Sequence, residues 1–204
     1  MTPSPAPSPA DAATERPSST AYEVRPGRTA DRSAVINLIA GRIALLNQWT
    51  DVGPLKGDSA TLLNHLGESE GGQPVVWMLC EDSTILGCAA VFPKAPYWTG
   101  DPDQRAEPAH YIAALFIYPT PGVLLARLLV FALLDRAARL PTEDGRTRWL
   151  RSATSSDRVM RYAHHAMGFA VSGGVARGPR LVHLLQQPAR AIDGLATYVS
   201  TRTT

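Results

Sequence analysis

With 204 residues, 45% of them hydrophobic, and a net charge of only +2, the chain is long enough to bury one sizeable core. Its charge balance excludes a polybasic nucleic-acid arm as the organising feature. Two cysteines exclude a disulfide framework, and the most apolar stretch, Val123 to Leu140, is broken by Arg127, Asp135, Arg136 and Arg139, which excludes a membrane span there.

The opening MTPSPAPSPADAATERPSST has almost nothing apolar to bury and is predicted to be a disordered tail over 1–20. It has neither a charged n-region nor an apolar h-region, so a cytoplasmic protein without a membrane anchor is expected. AYEVRPG reads as a short strand closed by Pro26 and Gly27. A helix follows with apolar residues at Val35, Ile36, Leu38, Ile39, Ile43, Leu45 and Leu46, capped by Thr29 or Asp31. Ser59 to Leu66 gives a second, shorter helix. Two extended runs around the polar turn at Glu81–Thr84 then predict a hairpin, which carries Cys80 and Cys88. No His or Cys flanks them at metal-ligand spacing, so they read as reduced structural thiols and no metal is expected.

The loop from Pro93 to Pro108 carries Tyr97, Trp98, Asp101 and Asp103, and its length points to function. The strand HYIAALFI, a turn and a long apolar helix to Leu140 follow. RWLRSAT reads as a strand, and SDRVMRYAHHAM as a helix with Ser156 or Asp157 as N-cap and Gly168 as its left-handed stop. FAVSGGV and RLVHLLQQ close the series as strands. The predicted order is β-α-α-β-β-β-α-β-α-β-β, an α/β (α+β) mixed sheet in three layers, within a domain over 21–188 followed by an extension over 189–204. Runs 111–117 and 149–153 flank a helix and are predicted to be parallel neighbours.

Residues 51–107 carry nine acids and three bases, and residues 141–204 carry four acids and nine bases, so the middle is about −6 and the end about +5 by subtraction. This asymmetry suits a protein whose middle meets a cationic ligand and whose end meets phosphates. The strand–turn–helix junction FIYPTPGVLLARLLVFALL is a frame that binds phosphate on backbone N–H groups.

With its element order, that junction and YAHHAMGF near the end, the chain resembles the GNAT superfamily of N-acyltransferases over residues 22–187. The resemblance implies acyl transfer from acetyl-CoA or another acyl-CoA to a primary amine of a small molecule. It places the donor on Gly122, Val123, Leu124, Leu125, Ala126 and Arg127, with the backbone N–H groups of Leu115, Phe116 and Ile117 serving the oxyanion. The superfamily's pyrophosphate motif, Arg/Gln-x-x-Gly-x-Gly/Ala, falls on Pro121, Leu124 and Ala126 here, so the cradle is degenerate. Where the superfamily often has a general-acid tyrosine, four residues before Gly168, stands His164; Tyr162 is displaced by two. Tyr111 occupies the position where a carboxylate base is usual, which moves the candidates for base to Glu107 and His110, or to Asp101 and Asp103. Trp49, Tyr97 and Trp98 are candidates to line the acceptor pocket together with Asp101 and Asp103.

Arg127, Arg151, Arg158 and Arg161 are the arginines nearest the donor site in this frame, and each by itself reads as a solvated surface charge. The degenerate cradle keeps a second donor open, an aminoacyl-tRNA held by the basic end. Loss of the tyrosine and of the strand carboxylate keeps open a non-catalytic binding module on the same frame. Homodimerisation is a further expectation of the resemblance.

Overall fold

The computed structural model describes residues 22–49, 56–67, 73–94, 98, 102–118, 124–139, 141–142 and 145–202. The segment 1–20 lies outside them, as do Tyr97, Asp101, Gly122 and Val123.

The chain runs β1 (Tyr22–Pro26), α1 (Arg32–Trp49), α2 (Lys56–Asn64), β2 (Val75–Glu81), β3 (Thr84–Phe92), α3 (Pro102–Ala106), β4 (Ala109–Ile117) and α4 (Leu125–Arg139). It continues with a small hairpin of β5 (Pro141–Thr142) and β6 (Gly145–Arg146), then β7 (Trp149–Thr154), α5 (Asp157–Met167), β8 (Ala170–Arg177), β9 (Arg180–Pro188) and β10 (Val199–Thr201). The predicted order is present, with three additions: α3 inside the long loop, the β5–β6 hairpin, and β10. Ser156 caps α5 by accepting a hydrogen bond from the Val159 N–H at 3.3 Å. Gly168 ends the helix at φ 83, a left-handed conformation that suits glycine.

Eight strands form one mixed sheet in the order β10-β1-β2-β3-β4-β7-β9-β8. The pairs β4–β7 and β1–β10 are parallel and the others antiparallel. Apolar side chains leave the sheet on both faces, which is why β2 reads as an unbroken hydrophobic run. On one face Trp77, Leu79, Ala89, Val91, Ile112 and Leu150 pack with Leu125, Leu129, Leu133 and Leu134 of α4 and Ala163 and Met167 of α5. On the other, Met78, Cys80, Cys88, Ala90, Ala114 and Phe116 pack with Val35, Leu38 and Ile39 of α1 and Leu62 and Leu66 of α2. Ile36, counted with the apolar face of α1 by its spacing, is instead 44% exposed.

Segment 189–202 joins the same core: Leu195 and Val199 are buried in it, and the Asp135 carboxylate on α4 accepts the Ile192 N–H at 2.8 Å. Both cysteines are free and buried, and burial pushes the Cys88 thiol up to about 12. A thiol held protonated in this way is no nucleophile at neutral pH.

Near the sheet edge, the Arg25 guanidinium grips the Asp31 carboxylate through two bonds of 2.7 and 2.9 Å, which ties β1 to the turn that starts α1. The bond from Arg25 holds the Asp31 carboxyl below the usual carboxylate range, against a smaller opposing effect of burial; the Arg28 N–H donates to it as well. A depressed folded-state value means stabilisation that is present above the unfolded value near 4 and lost as pH falls through the folded one. Thermal denaturation between about pH 5 and pH 3 should therefore show a steeper loss of stability in the native chain than in Asp31→Asn. Parallel curves would remove this pair from the account.

Candidate active site

The β4–β7 ladder starts at Ala109–Trp149 and ends at Ile112–Ser152, although β4 runs on to Ile117. Beyond Ile112 the two parallel strands part. Three features shape the fork. The Ser152 hydroxyl donates to the Ile112 carbonyl at 3.0 Å, which closes its apex. The β3–β4 register slips between Ala90–Ala114 and Val91–Ile112, leaving Ala113 as a bulge residue without a partner in β3. The bulge also reverses the faces: Ile112 packs toward α4, and Ala114 and Phe116 pack toward α1 and α2.

The third feature is the direction of the backbone N–H groups. Tyr118 donates its N–H to Leu86 of β3 at 2.7 Å. N–H direction alternates along a strand, so Phe116 and Ala114 also point to β3, whereas Leu115 and Ile117 point to the side that β7 has left. Two of the three expected oxyanion donors, Leu115 and Ile117, therefore face the fork. The third, Phe116, is committed to the β3 ladder.

Helix α4 packs on the sheet face of Ile112 and Leu150. Among the described residues its first bond runs from the Leu128 N–H to the Leu124 carbonyl at 3.0 Å. The N–H groups of Leu125, Ala126 and Arg127 thus have no partner within the helix among the described residues, and they carry its positive end. The Leu125 side chain is buried in the core, so this residue offers a ligand only its backbone; Leu124 and Arg127 are exposed. The Arg127 guanidinium lies 4.9 Å from the centre of the Phe131 ring.

His164 is exposed on α5. Its Nδ1 lies 2.7 Å from the Phe169 carbonyl, and a carbonyl only accepts, so Nδ1 carries the proton and Nε2 is left to gain or lose one. The other expected catalytic residues divide between the faces. His110 shares the face of Ile112 and α4, and burial, followed by the nearby Arg136 charge, pushes its imidazole below the ordinary histidine value. Tyr111 and its register partner Arg151 lie on the α1/α2 face.

Glu107 also faces Arg151: its carboxylate accepts from Arg151 at 3.3 Å and from Arg148 at 3.5 Å. Among the expected acceptor residues, Trp98 is buried with its ring centre 4.6 Å from the Arg151 guanidinium carbon. Asp103 is exposed on α3, and Trp49 ends α1 with its side chain outside the described residues. Arg127, Arg158 and Arg161 are exposed as expected, but Arg151 is 1% exposed. Its surface-charge reading is overturned, because strand alternation in WLRSAT directs Trp149 and Arg151 to the covered α1/α2 face. Ser152 and the Ala113 bulge were not singled out in the sequence, where a serine within a strand and two adjacent alanines carry no signal.

The sequence matches no family model and no curated protein. Solved structures supply the likeness. A GNAT-family acetyltransferase from Bacillus cereus superposes with a TM-score of 0.56 at 14% identity, over 83% of this chain and 98% of that one. One from Listeria monocytogenes gives 0.59 at 16%, over 82% and 94%. An aminoglycoside N(6')-acetyltransferase from Legionella pneumophila gives 0.58 at 12%, over 84% and 94%. The chain has the fold of the GNAT acetyltransferases. Among the described residues no helix is long and apolar enough to cross a membrane.

Because burial and Arg136 both disfavour the charged imidazole, His110 should titrate below the ordinary histidine range near 6.5. Two-dimensional NMR of the ring protons would show this midpoint, and Arg136→Met should raise it. A midpoint at or above 6.5 in the native chain would contradict the buried placement.

Proposed function

We propose that this protein is an N-acyltransferase that moves an acyl group from acyl-CoA to a primary amine of a small molecule by direct attack. The observation that carries the reading is the fork between β4 and β7, into which the Leu115 and Ile117 N–H groups point. That donor set fits the co-substrate: the first-turn N–H groups of α4 and the exposed Arg127 suit its phosphates, and the strand N–H groups suit a thioester carbonyl. Acyl-CoA supplies an activated acyl carbon.

The chain's own residues supply position, charge and protons. The helix start holds the donor from the α4 face, which leaves the α1/α2 face for the amine. The Leu115 or Ile117 N–H donates to the carbonyl oxygen as it gains charge while the amine nitrogen bonds to the carbon; preorganised donors of this kind are worth a few kcal/mol at a transition state. His164, with Nδ1 fixed by Phe169, protonates the departing thiolate from Nε2. Water takes the proton released by the amine, because the Glu107 carboxylate is held by Arg148 and Arg151 below the fork. Gly122 and Val123 complete the donor loop, and Tyr97, Asp101 and Trp49 the acceptor rim, as the sequence suggests. The N(6')-acetyltransferase that shares the fold is named for an aminoglycoside, a small polyamine, which supports the acceptor class.

Calorimetric titration with acetyl-CoA, run beside filter binding of deacylated and charged tRNA at fixed low salt, tests this reading. Micromolar acetyl-CoA binding is expected. Arg127→Glu puts a repelling charge in the first turn of α4 that suits the helix dipole, so it should weaken acetyl-CoA binding about tenfold without lowering the melting temperature. Binding of charged tRNA without acetyl-CoA binding would replace the donor. Binding of neither would leave only the fold.

A further inference from the structure

The least satisfied polar cluster among the described residues lies on the α1/α2 face, beneath the fork. Arg151 is 1% exposed, yet among the described residues its guanidinium, with five N–H donors, makes one hydrogen bond, to Glu107 at 3.3 Å. Its Nε–H is buried without an acceptor, and so are the indole N–H groups of Trp98, stacked on it, and of Trp149, two residues back on the same face. The buried carbonyl oxygen of Gln186, the cross-strand partner of Arg151, also lacks a partner. Three donors and one acceptor on this face are thus without a partner. Arg148 and Arg151 against Glu107 leave a net charge of +1 by that count.

Buried N–H groups are almost always paired, and an orphaned set is unfavourable until an acceptor arrives. A structural ion pair would require Arg151 and Glu107 alone and would leave the two indoles unexplained. An oxyanion, with several lone pairs and a negative charge, answers all three donors and the charge together.

We infer that Arg151, Trp98 and Trp149 form a subsite for an oxyanion, a carboxylate or a phosphate, borne by the acceptor. Its assignment to the acceptor rests on the acyl-transfer reading; the subsite itself does not. The placement follows from the sheet. Arg151 precedes the fork residue Ser152 and lies on the face opposite α4, and its partner Tyr111 stands four residues, roughly 13 Å along the strand, below Leu115. An acceptor that joins the two places carries its amine and its anion at opposite ends of an extended chain. The acidic middle of the protein draws the amine, and Arg151 holds the far end.

The test uses the full chain without acyl-CoA, at fixed ionic strength, with three probes: 6-aminohexanoate, n-hexylamine and inorganic phosphate. Melting temperature and calorimetry are the readouts. A rise in melting temperature and saturable binding with 6-aminohexanoate or with phosphate, absent with n-hexylamine, is expected, and the responding probe assigns carboxylate or phosphate. Arg151→Met should abolish that binding. Because replacing a buried ion-pair member can itself alter stability, Trp98→Phe serves as the second variant. It keeps the ring over Arg151 and removes one donor, and should weaken the anion about tenfold. An equal response to n-hexylamine, no response to either anion, or unchanged binding in Trp98→Phe overturns the subsite. Failure of acetyl-CoA to bind would overturn the acyl-transfer reading and leave this result standing.

Discussion

The parting of β4 from β7 after Ile112 is the constraint on which the site depends. Parallel strands normally keep their ladder to the end, because an abandoned N–H must find another partner or water. Here the Ser152 hydroxyl takes the Ile112 carbonyl, and the bulge at Ala113 turns the rest of β4 by one residue. The strand then stays paired to β3 alone, and Leu115 and Ile117 keep donors directed into the opening.

The same bulge divides the candidate residues between two faces. Without it, Ile112, Ala114 and Phe116 would share one face, and the layers under α4 and under α1 and α2 would compete for the same side chains. With it, α4 and α5 enclose the face that carries the helix start, His110 and His164. The α1/α2 face receives Tyr111, Arg151, Glu107 and Trp98.

Much of the frame was legible in the sequence. The parallel adjacency of β4 and β7 follows from two strands flanking a helix, Ser156 and Gly168 announce the ends of α5, and the apolar run from Leu125 announces the helix that roofs one face. The rest depended on register. Ala113 and Ala114 give the same signal in either face assignment, so the bulge is invisible in AHYIAALFI. Which of Leu115, Phe116 and Ile117 opens to the fork is fixed by the Tyr118–Leu86 bond, a contact between strands. Arg151 reads as a surface charge until its strand is seen to be covered on both sides. Residues 189–202, polar and irregular in sequence, gain a place because β1 offers them a free edge.

Amide hydrogen exchange of β4, followed by NMR with and without acetyl-CoA, tests the fork most directly. The account predicts that the Leu115 and Ile117 amides exchange faster than that of Phe116 in the free protein. It also predicts that acetyl-CoA protects those two while leaving Phe116 unchanged. Equal protection of all three in the free protein would mean that β4 has a partner on both sides, and that the opening on which the acyl-transfer account rests does not exist.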